Sequence, residues 1–237
     1  MLLVLALLAW AASFLQSDTM MMDMAMFQLD LPALALFAST WTVGMVAMMF
    51  PTAVPMMMLF LSVGRKATVE IKAGGGPTLT KAALFIASYI AVWALVGILF
   101  YALLASLAGL PNLGGFLDAI ASPVGVGVAL LLVGVYQLSP VKGECLDRCH
   151  PTNFLFKYYR GGRLGAAEMG ILYAKYCVGC CWVMMLFLLL VGAMGPLWMV
   201  VFAALIFMER AVMHGRWPPK LIGVAFLSLG AARLLLI

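Results

Sequence analysis

Apolar runs long enough to cross a lipid bilayer follow one another along this sequence, with only short polar stretches between them. Of the 237 residues, 66% are apolar and 10% are charged, whereas soluble domains carry about 25% charged residues. A water-soluble fold of this length could not bury so much apolar surface, so the solvent must be lipid. The sequence therefore predicts an all-α, polytopic transmembrane helix bundle that forms one domain over residues 1–237.

Seven apolar segments can be recognised, and a crossing needs about 20 apolar residues, so about seven helices are expected. The first segment could be a cleaved signal peptide, which would leave six. It lacks a basic start and a clear cleavage site, and it is therefore interpreted as a helix. Pro51 and Pro55 predict a kink in the second segment, because each removes a backbone donor. The segments are 1–16, 33–62, 81–108, 119–138, 170–193, 196–213 and 221–236.

Lysine and arginine are concentrated in the three loops that follow the second, fourth and sixth segments, while the intervening loops contain neither. The positive-inside rule makes these three loops cytoplasmic. The N-terminus is then cytoplasmic and the C-terminus lies outside, in an inner (cytoplasmic) membrane. The net charge of +5 indicates this topology and a membrane-lipid partner, and it requires no nucleic acid. The basic loop residues are Arg65, Lys66, Lys72, Lys81, Lys142, Arg148, Lys157, Arg160, Arg163, Arg210, Arg216 and Lys220.

The five cysteines form two groups, and both are predicted on or near the cytoplasmic side. Cys145 and Cys149 lie four residues apart in a loop, whereas Cys177, Cys180 and Cys181 lie at the start of the fifth apolar segment. The cytoplasm keeps thiols reduced, so structural disulfides are disfavoured. Residues three and four apart share a helix face, and thiolates favour soft cations, here Cu(I) with Zn(II) as the alternative. The competing interpretation is packing, since a free cysteine behaves as a small apolar residue.

The 19 methionines supply a second set of candidate sulfur ligands. Met45, Met48 and Met49 lie along one rough face of the second apolar segment, and the stretch 20–26 combines five methionines with Asp23 outside the membrane. Thioether sulfurs bind Cu(I) and ignore hard cations. Methionine is also a flexible packing residue, so packing remains the alternative for the membrane-embedded methionines.

Ionisable residues near the membrane are candidate site residues because burying a charge is costly unless it is paired or functional. Glu168 and Lys175 precede the second cysteine group, and Glu209 ends the sixth segment beside Arg210. A glutamate, Glu209 above all, could join or balance the thiol site. The alternative is an interfacial position, where long side chains reach water.

Three sequence blocks resemble a bacterial family of predicted metal-binding integral membrane proteins, whose shared region is classed as a domain of unknown function. They are "WTVGMVAMMFPTAVPMMMLF" (41–60), "YQLSPVKGECLDRC" (136–149) and "YCVGCCWVMMLFLLLVGAMGPLWMVVFAALIFMER" (176–210). The resemblance implies metal binding and does not specify the metal. No histidine occurs in 161–175, where the family pattern leads us to expect one. The matching residues are Trp41, Met45, Met48, Met49, Pro51, Pro55, Met56, Tyr136, Gln137, Pro140, Lys142, Cys145, Cys149, Tyr176, Cys177, Gly179, Cys180, Cys181, Trp182 and Glu209.

Three functions fit these features. The first is a membrane protein that handles a soft metal, copper above all, along a route from the outer Met-Asp stretch through the helix methionines to the cysteines. The second is an accessory or assembly subunit of a larger membrane complex, such as a copper membrane oxygenase or an energy-transducing complex. The third is a thiol oxidoreductase that uses Cys177 and Cys180 as a C-x-x-C pair. Two histidines cannot build a typical His-based redox centre, which favours binding or assembly over catalysis.

Overall fold

The computed structural model describes residues 2–15, 31–70, 78–108, 113–190, 196–212 and 217–236, and these ranges are almost entirely helical, with no strand among them. The predicted all-α class is confirmed. Ten α-helices and one short π-helix follow one another within these described ranges. They are α1 (Leu2–Leu15), α2 (Leu31–Glu70), α3 (Thr78–Ala108), α4 (Leu113–Ala121), α5 (Pro123–Leu138), α6 (Pro140–Cys149), α7 (Pro151–Tyr158), α8 (Gly162–Leu190), α9 (Pro196–Phe207), the π-helix (Met208–Val212) and α10 (Trp217–Leu235).

Within these ranges, four helices are long and apolar enough to cross a membrane, namely α2, α3, α8 and α10. Helices α5 and α6 pass the same test as a pair bent by 61° and could supply a fifth crossing. Predicted segments 1–16 and 196–213 fall on α1 with 14 residues and α9 with 12 residues. Both are shorter than the roughly 20 residues that a straight crossing requires. The long helices are nevertheless compatible with a membrane protein.

Helix α8 begins at Gly162, earlier than the apolar segment predicted at 170–193. The added residues include Arg163 and Glu168, whose side chains are exposed. A hydropathy pattern ends where charged residues begin, but backbone hydrogen bonding continues through them. Cys177 therefore lies near the middle of α8, and not at its start as predicted.

The loop predicted to carry the first cysteine pair is a helix. At the break between α5 and α6, Ser139 leaves the helical conformation and its hydroxyl accepts a hydrogen bond from the Lys142 amide at 3.2 Å. Pro140 follows at the first helical position, where no amide donor is needed. This N-cap starts α6 in a new direction, and α6 packs against α8. Cys149, the last residue of α6, is buried there.

Close helix approaches depend on glycines at two interfaces. Between α3 and α8, a Cβ on Gly170 would lie 2.1 Å from Ser88 Oγ and 2.4 Å from the Phe85 carbonyl oxygen. Between α5 and α10, Gly127 and Gly134 face a second glycine pair across the interface. These glycines permit the close packing of α5 against α10. Helix α2 is continuous through Pro51 and Pro55, and it packs against α1 and α3.

Candidate metal centre

Four of the five cysteines converge in the protein core. Cys149 comes from the end of α6, and Cys177, Cys180 and Cys181 come from the middle of α8, with exposures between 0% and 3%. The Cys149 thiol lies beside those of Cys177 and Cys180, and Cys181 lies beside the same two. All of these cysteines are free thiols. Helical spacing on α8 and the redirected α6 together produce this cluster.

Arg210 holds two of the four sulfurs. Its Nη1 donates to Cys177 Sγ at 2.8 Å and to Thr52 Oγ1 at 3.2 Å, and its Nη2 donates to Cys149 Sγ. The side chain rises from the π-helix, a local widening that is frequent at functional sites, and it is 6% exposed. Arg210 thus bridges α2, α6 and α8. Hydrogen bonds that include a charged donor are roughly twice as strong as neutral ones.

The four sulfurs play two different hydrogen-bonding roles. Cys149 and Cys177 accept from the guanidinium, and Tyr89 OH lies 3.0 Å from Cys177 Sγ. Cys180 and Cys181 instead donate to the Cys177 carbonyl oxygen at 3.1 Å and 3.0 Å. A donating sulfur must carry its proton, whereas an accepting one can be a thiolate. Cys149 and Cys177 are thus the two cysteines whose sulfurs contact the guanidinium.

One of the predicted methionines meets this pair. Met49 Sδ lies 4.0 Å from Cys177 Sγ, and the side chain is fully buried in α2. Met45 lies one turn before Met49 on α2, and Met48 directly precedes Met49 in the chain. Both side chains are buried in the same hydrophobic core as Met49. The Met-Asp stretch at 20–26 lies outside the described residues. Met49 is thus the methionine that the structure places against a thiol.

Aromatic side chains form the walls around the guanidinium. The Tyr173 ring lies 5.6 Å from the Arg210 guanidinium carbon, in cation–π contact. Phe154 packs edge-on against Tyr173, with ring centroids 5.1 Å apart. The Tyr89 ring also packs against Tyr173, with centroids 5.9 Å apart. These rings exclude water, and charge interactions are stronger in such a desolvated site than at the surface.

Glu209 and Cys145 lie away from the Arg210 hydrogen-bond network. Both carboxylate oxygens of Glu209 accept from Lys142 Nζ, at 3.0 Å and 2.7 Å, and one also accepts from Gln137 Nε2 at 2.8 Å. Cys145 is half-buried, and its sulfur would lie 2.9 Å from a Cβ placed on Gly179. The carboxylate therefore has a structural partner, and Cys145 packs against the backbone of α8.

The remaining predicted ionisable residues are on the surface. Glu168 forms an exposed ion pair with Arg160, and Lys175 is exposed. These positions agree with the interfacial interpretation of both residues. Neither side chain is part of the buried cluster.

The donor set of the cluster is sulfur. In the part of the chain that the structure describes, no three His, Cys, Asp or Glu side chains are arranged to hold a metal ion. The sulfurs of Cys149 and Cys177 instead surround a guanidinium cation, with a thioether beside them. Thiolate and thioether ligands favour soft metal ions, Cu(I) among them, over hard cations.

Sequence reasoning missed three residues of this site: Arg210, Tyr89 and Thr52. Arg210 was assigned to a cytoplasmic loop because it follows an apolar segment. A better signal was its position directly after Glu209 in that segment, since a charge at membrane depth marks a functional site by default. Tyr89 and Thr52 lie in apolar helices, and no pattern in the sequence distinguishes them from packing residues.

The family comparison agrees with the all-sulfur chemistry. A family model described as a copper chaperone, PpoB2, matches residues 37–233. The match spans α2 to α10 and so includes Met49, the four clustered cysteines and Arg210. No curated protein matches the chain, and no solved structure matches it. The expected metal-related family is thus a copper-related one, and the chain belongs to the PpoB2 family of copper chaperones.

Proposed function

We propose that this copper chaperone carries one Cu(I) ion in a membrane-embedded sulfur pocket. The thiolates of Cys149 and Cys177 bind the ion, and the Met49 thioether is the third donor. One observation carries the proposal: Arg210 holds the sulfurs of Cys149 and Cys177, from two different helices, in one buried place, with Met49 Sδ 4.0 Å from the second of them. Cys180 and Cys181 support the pocket through their bonds to the Cys177 carbonyl.

Copper suits this donor set better than zinc. Structural zinc sites are almost always four-coordinate and are closed by thiolate, imidazole or carboxylate ligands. Here the carboxylate of Glu209 is held by Lys142, and two of the four clustered thiols donate to backbone. Two thiolates and a thioether are all soft donors, and such donors suit Cu(I).

The pocket is buried, so ion exchange requires a transient opening. The Met-Asp stretch at 20–26 is the proposed outer capture site, and Met45 and Met48 on α2 are proposed steps toward Met49. Each step exchanges one soft ligand for another, and the ion is never released to water. Cys145, half-buried beside α8, is a proposed step on the cytoplasmic side.

The membrane assignment is also a proposal, supported by the four long apolar helices. The basic residues at the end of α2 and around α7 support a cytoplasmic location for both regions. Fluorescent-protein and alkaline-phosphatase fusions to the C-terminus test this topology. An outside C-terminus gives phosphatase activity without fluorescence, and the opposite result would reverse the orientation.

The acceptor of the copper is proposed to be a larger membrane complex that depends on copper. Mild extraction from the native membrane, followed by native electrophoresis, tests this partner class. Comigration with a copper-containing assembly supports it, whereas migration as a lone 25.5 kDa chain argues against a stable association. Thiol oxidoreductase chemistry is less well supported, because Cys177 and Cys180 are only 0% and 3% exposed and a partner disulfide, far larger than a metal ion, would need a wider opening to reach them.

The copper site is tested by Cu(I) competition titration of detergent-purified protein under reducing conditions. Wild type should take up one Cu(I), and X-ray absorption should show sulfur ligands only. Cys149→Ser and Cys177→Ser should each weaken binding by about 100-fold or more, since removal of one of two charged ligands costs several kcal/mol. Cys145→Ser is the matched control and should bind as wild type does. Full Cu(I) binding by both site variants would refute the proposed site.

A further inference from the structure

We propose that Arg210 makes the pocket selective for a monovalent metal ion over a divalent one, because its fixed positive charge completes the charge balance of a bis-thiolate site. The inference rests on the proposed function, since it takes Cys149 and Cys177 as the ligands. It goes further by assigning specificity to a residue that does not touch the metal.

Three charged groups set the net charge of the pocket apart from the metal ion. Cys149 and Cys177 supply two negative charges as metal-bound thiolates, and the guanidinium that contacts both sulfurs supplies one positive charge. A monovalent ion brings the sum to zero. A divalent ion leaves one positive charge in a site where Cys177 and Arg210 are 0% and 6% exposed, and such burial is costly.

The neighbouring charges do not alter this sum. Glu209 is next to Arg210 in the chain, but it is paired with Lys142 at 2.7 Å, with side-chain exposures of 3% and 0%. That pair is neutral by itself. The other groups near the guanidinium include the Thr52 hydroxyl, the Tyr173 ring and the Cys180 thiol. Cys180 donates to the Cys177 carbonyl oxygen and is counted as a neutral thiol.

Arg210 is also anchored by groups other than the thiolates. Thr52 Oγ1 accepts from Nη1, and the hydroxyl of Thr52 itself donates to the Met49 carbonyl oxygen at 2.8 Å. The Tyr173 face supports the guanidinium from a different helix. The cation therefore remains beside the sulfurs when the metal binds. Arginine is always protonated in proteins, so its positive charge does not depend on pH.

The test compares Ag(I) with Cd(II), two soft ions that have the same number of d electrons and differ by one charge. Both affinities are measured by competition with dithiothreitol, which offers two thiolates without a cation. The ratio of Ag(I) affinity to Cd(II) affinity should be about 100-fold higher for the wild-type protein than for dithiothreitol. This factor corresponds to the energy of one charge interaction across a few ångströms in a partly desolvated site.

Three variants separate charge from structure. Arg210→Met should lower the Ag(I)-to-Cd(II) ratio by about 100-fold, since it removes the same interaction. Arg210→Lys keeps the charge while losing the two-pronged geometry, and it should retain most of the ratio. Arg148→Met is the control, because Arg148 is an exposed arginine on α6, and the ratio should stay at the wild-type value.

Two results would overturn the inference: an Arg210→Met protein that keeps the wild-type ratio or loses both ions equally, or a wild-type ratio no greater than that of dithiothreitol. The wild-type measurement decides the matter even when Arg210→Met does not fold. Failure of the proposed function is distinguishable, because it appears as intact Ag(I) binding in Cys149→Ser and Cys177→Ser.

Discussion

Lys142 and Glu209 form an ion pair that is almost completely withdrawn from solvent, with Nζ 2.7 Å from Oε2 and side-chain exposures of 0% and 3%. The pair connects α6, which ends in Cys149, to the π-helix, which carries Arg210. It therefore positions one thiol and the guanidinium relative to each other.

Removal of one member of this pair should destabilise the protein strongly. Lys142→Met leaves the Glu209 charge buried without a partner, and this should lower the free energy of unfolding by about 3–5 kcal/mol. Denaturation by sodium dodecyl sulfate, monitored by tryptophan fluorescence, measures it. The double variant Lys142→Met, Glu209→Leu should recover much of the loss, because apolar groups often replace a buried pair at little cost. Glu144→Gln, in an exposed pair, is the control. Equal losses in the single and double variants would contradict this account.

Gly170 should be intolerant of even one added methyl group. A Cβ there would lie 2.1 Å from Ser88 Oγ and 2.4 Å from the Phe85 carbonyl, so α3 and α8 would have to separate. We expect Gly170→Ala to cost about 1–3 kcal/mol and to weaken Cu(I) binding, because Tyr89 on α3 would leave Cys177. Gly143→Ala is the matched control, since nothing lies within 4 Å of its Cβ. It should be neutral or slightly stabilising. A Gly170→Ala protein as stable as Gly143→Ala would show that the interface can relax.

Met49 should matter for copper more than for stability. Met49→Leu conserves volume, so the free energy of unfolding should change by less than about 1.5 kcal/mol. The thioether is lost, and Cu(I) affinity should fall by about tenfold, equivalent to about 1.4 kcal/mol. Met199→Leu replaces an equally buried methionine on α9 and should leave Cu(I) affinity unchanged. Equal affinities in the two variants would remove Met49 from the ligand set.

The five thiols should differ in their reactivity with an alkylating reagent. Cys145 is half-buried and should react first in the native protein, whereas the other four are at most 3% exposed and should react only on opening or unfolding. Mass spectrometry of peptides after timed N-ethylmaleimide labelling measures each site. Cu(I) should slow labelling of Cys149 and Cys177 further and leave Cys145 unaffected. Rapid labelling of Cys177 in the native apoprotein would contradict the burial.

Much of the fold was predictable because hydropathy is a local property of the chain. The long apolar segments around Met49 and Cys177 are helices, as expected. Helix ends were less predictable, since α8 continues through charged residues and Ser139 with Pro140 starts a new helix where a loop was expected. The cytoplasmic placement of the thiols stays a prediction.

The sequence by itself determined the fold class of the protein and its supply of candidate sulfur ligands, because apolar content and the number of sulfur atoms are set by residue types alone. Only the tertiary structure decided which sulfurs meet. Cys145 and Cys149 are equivalent in sequence, yet the rotation and tilt of α6 bring Cys149 to Arg210 and leave Cys145 against Gly179. Which cysteine contacts Arg210 depends on the packing of helices that are distant in the chain. For that reason Arg210 could be recognised as a site residue only from the structure.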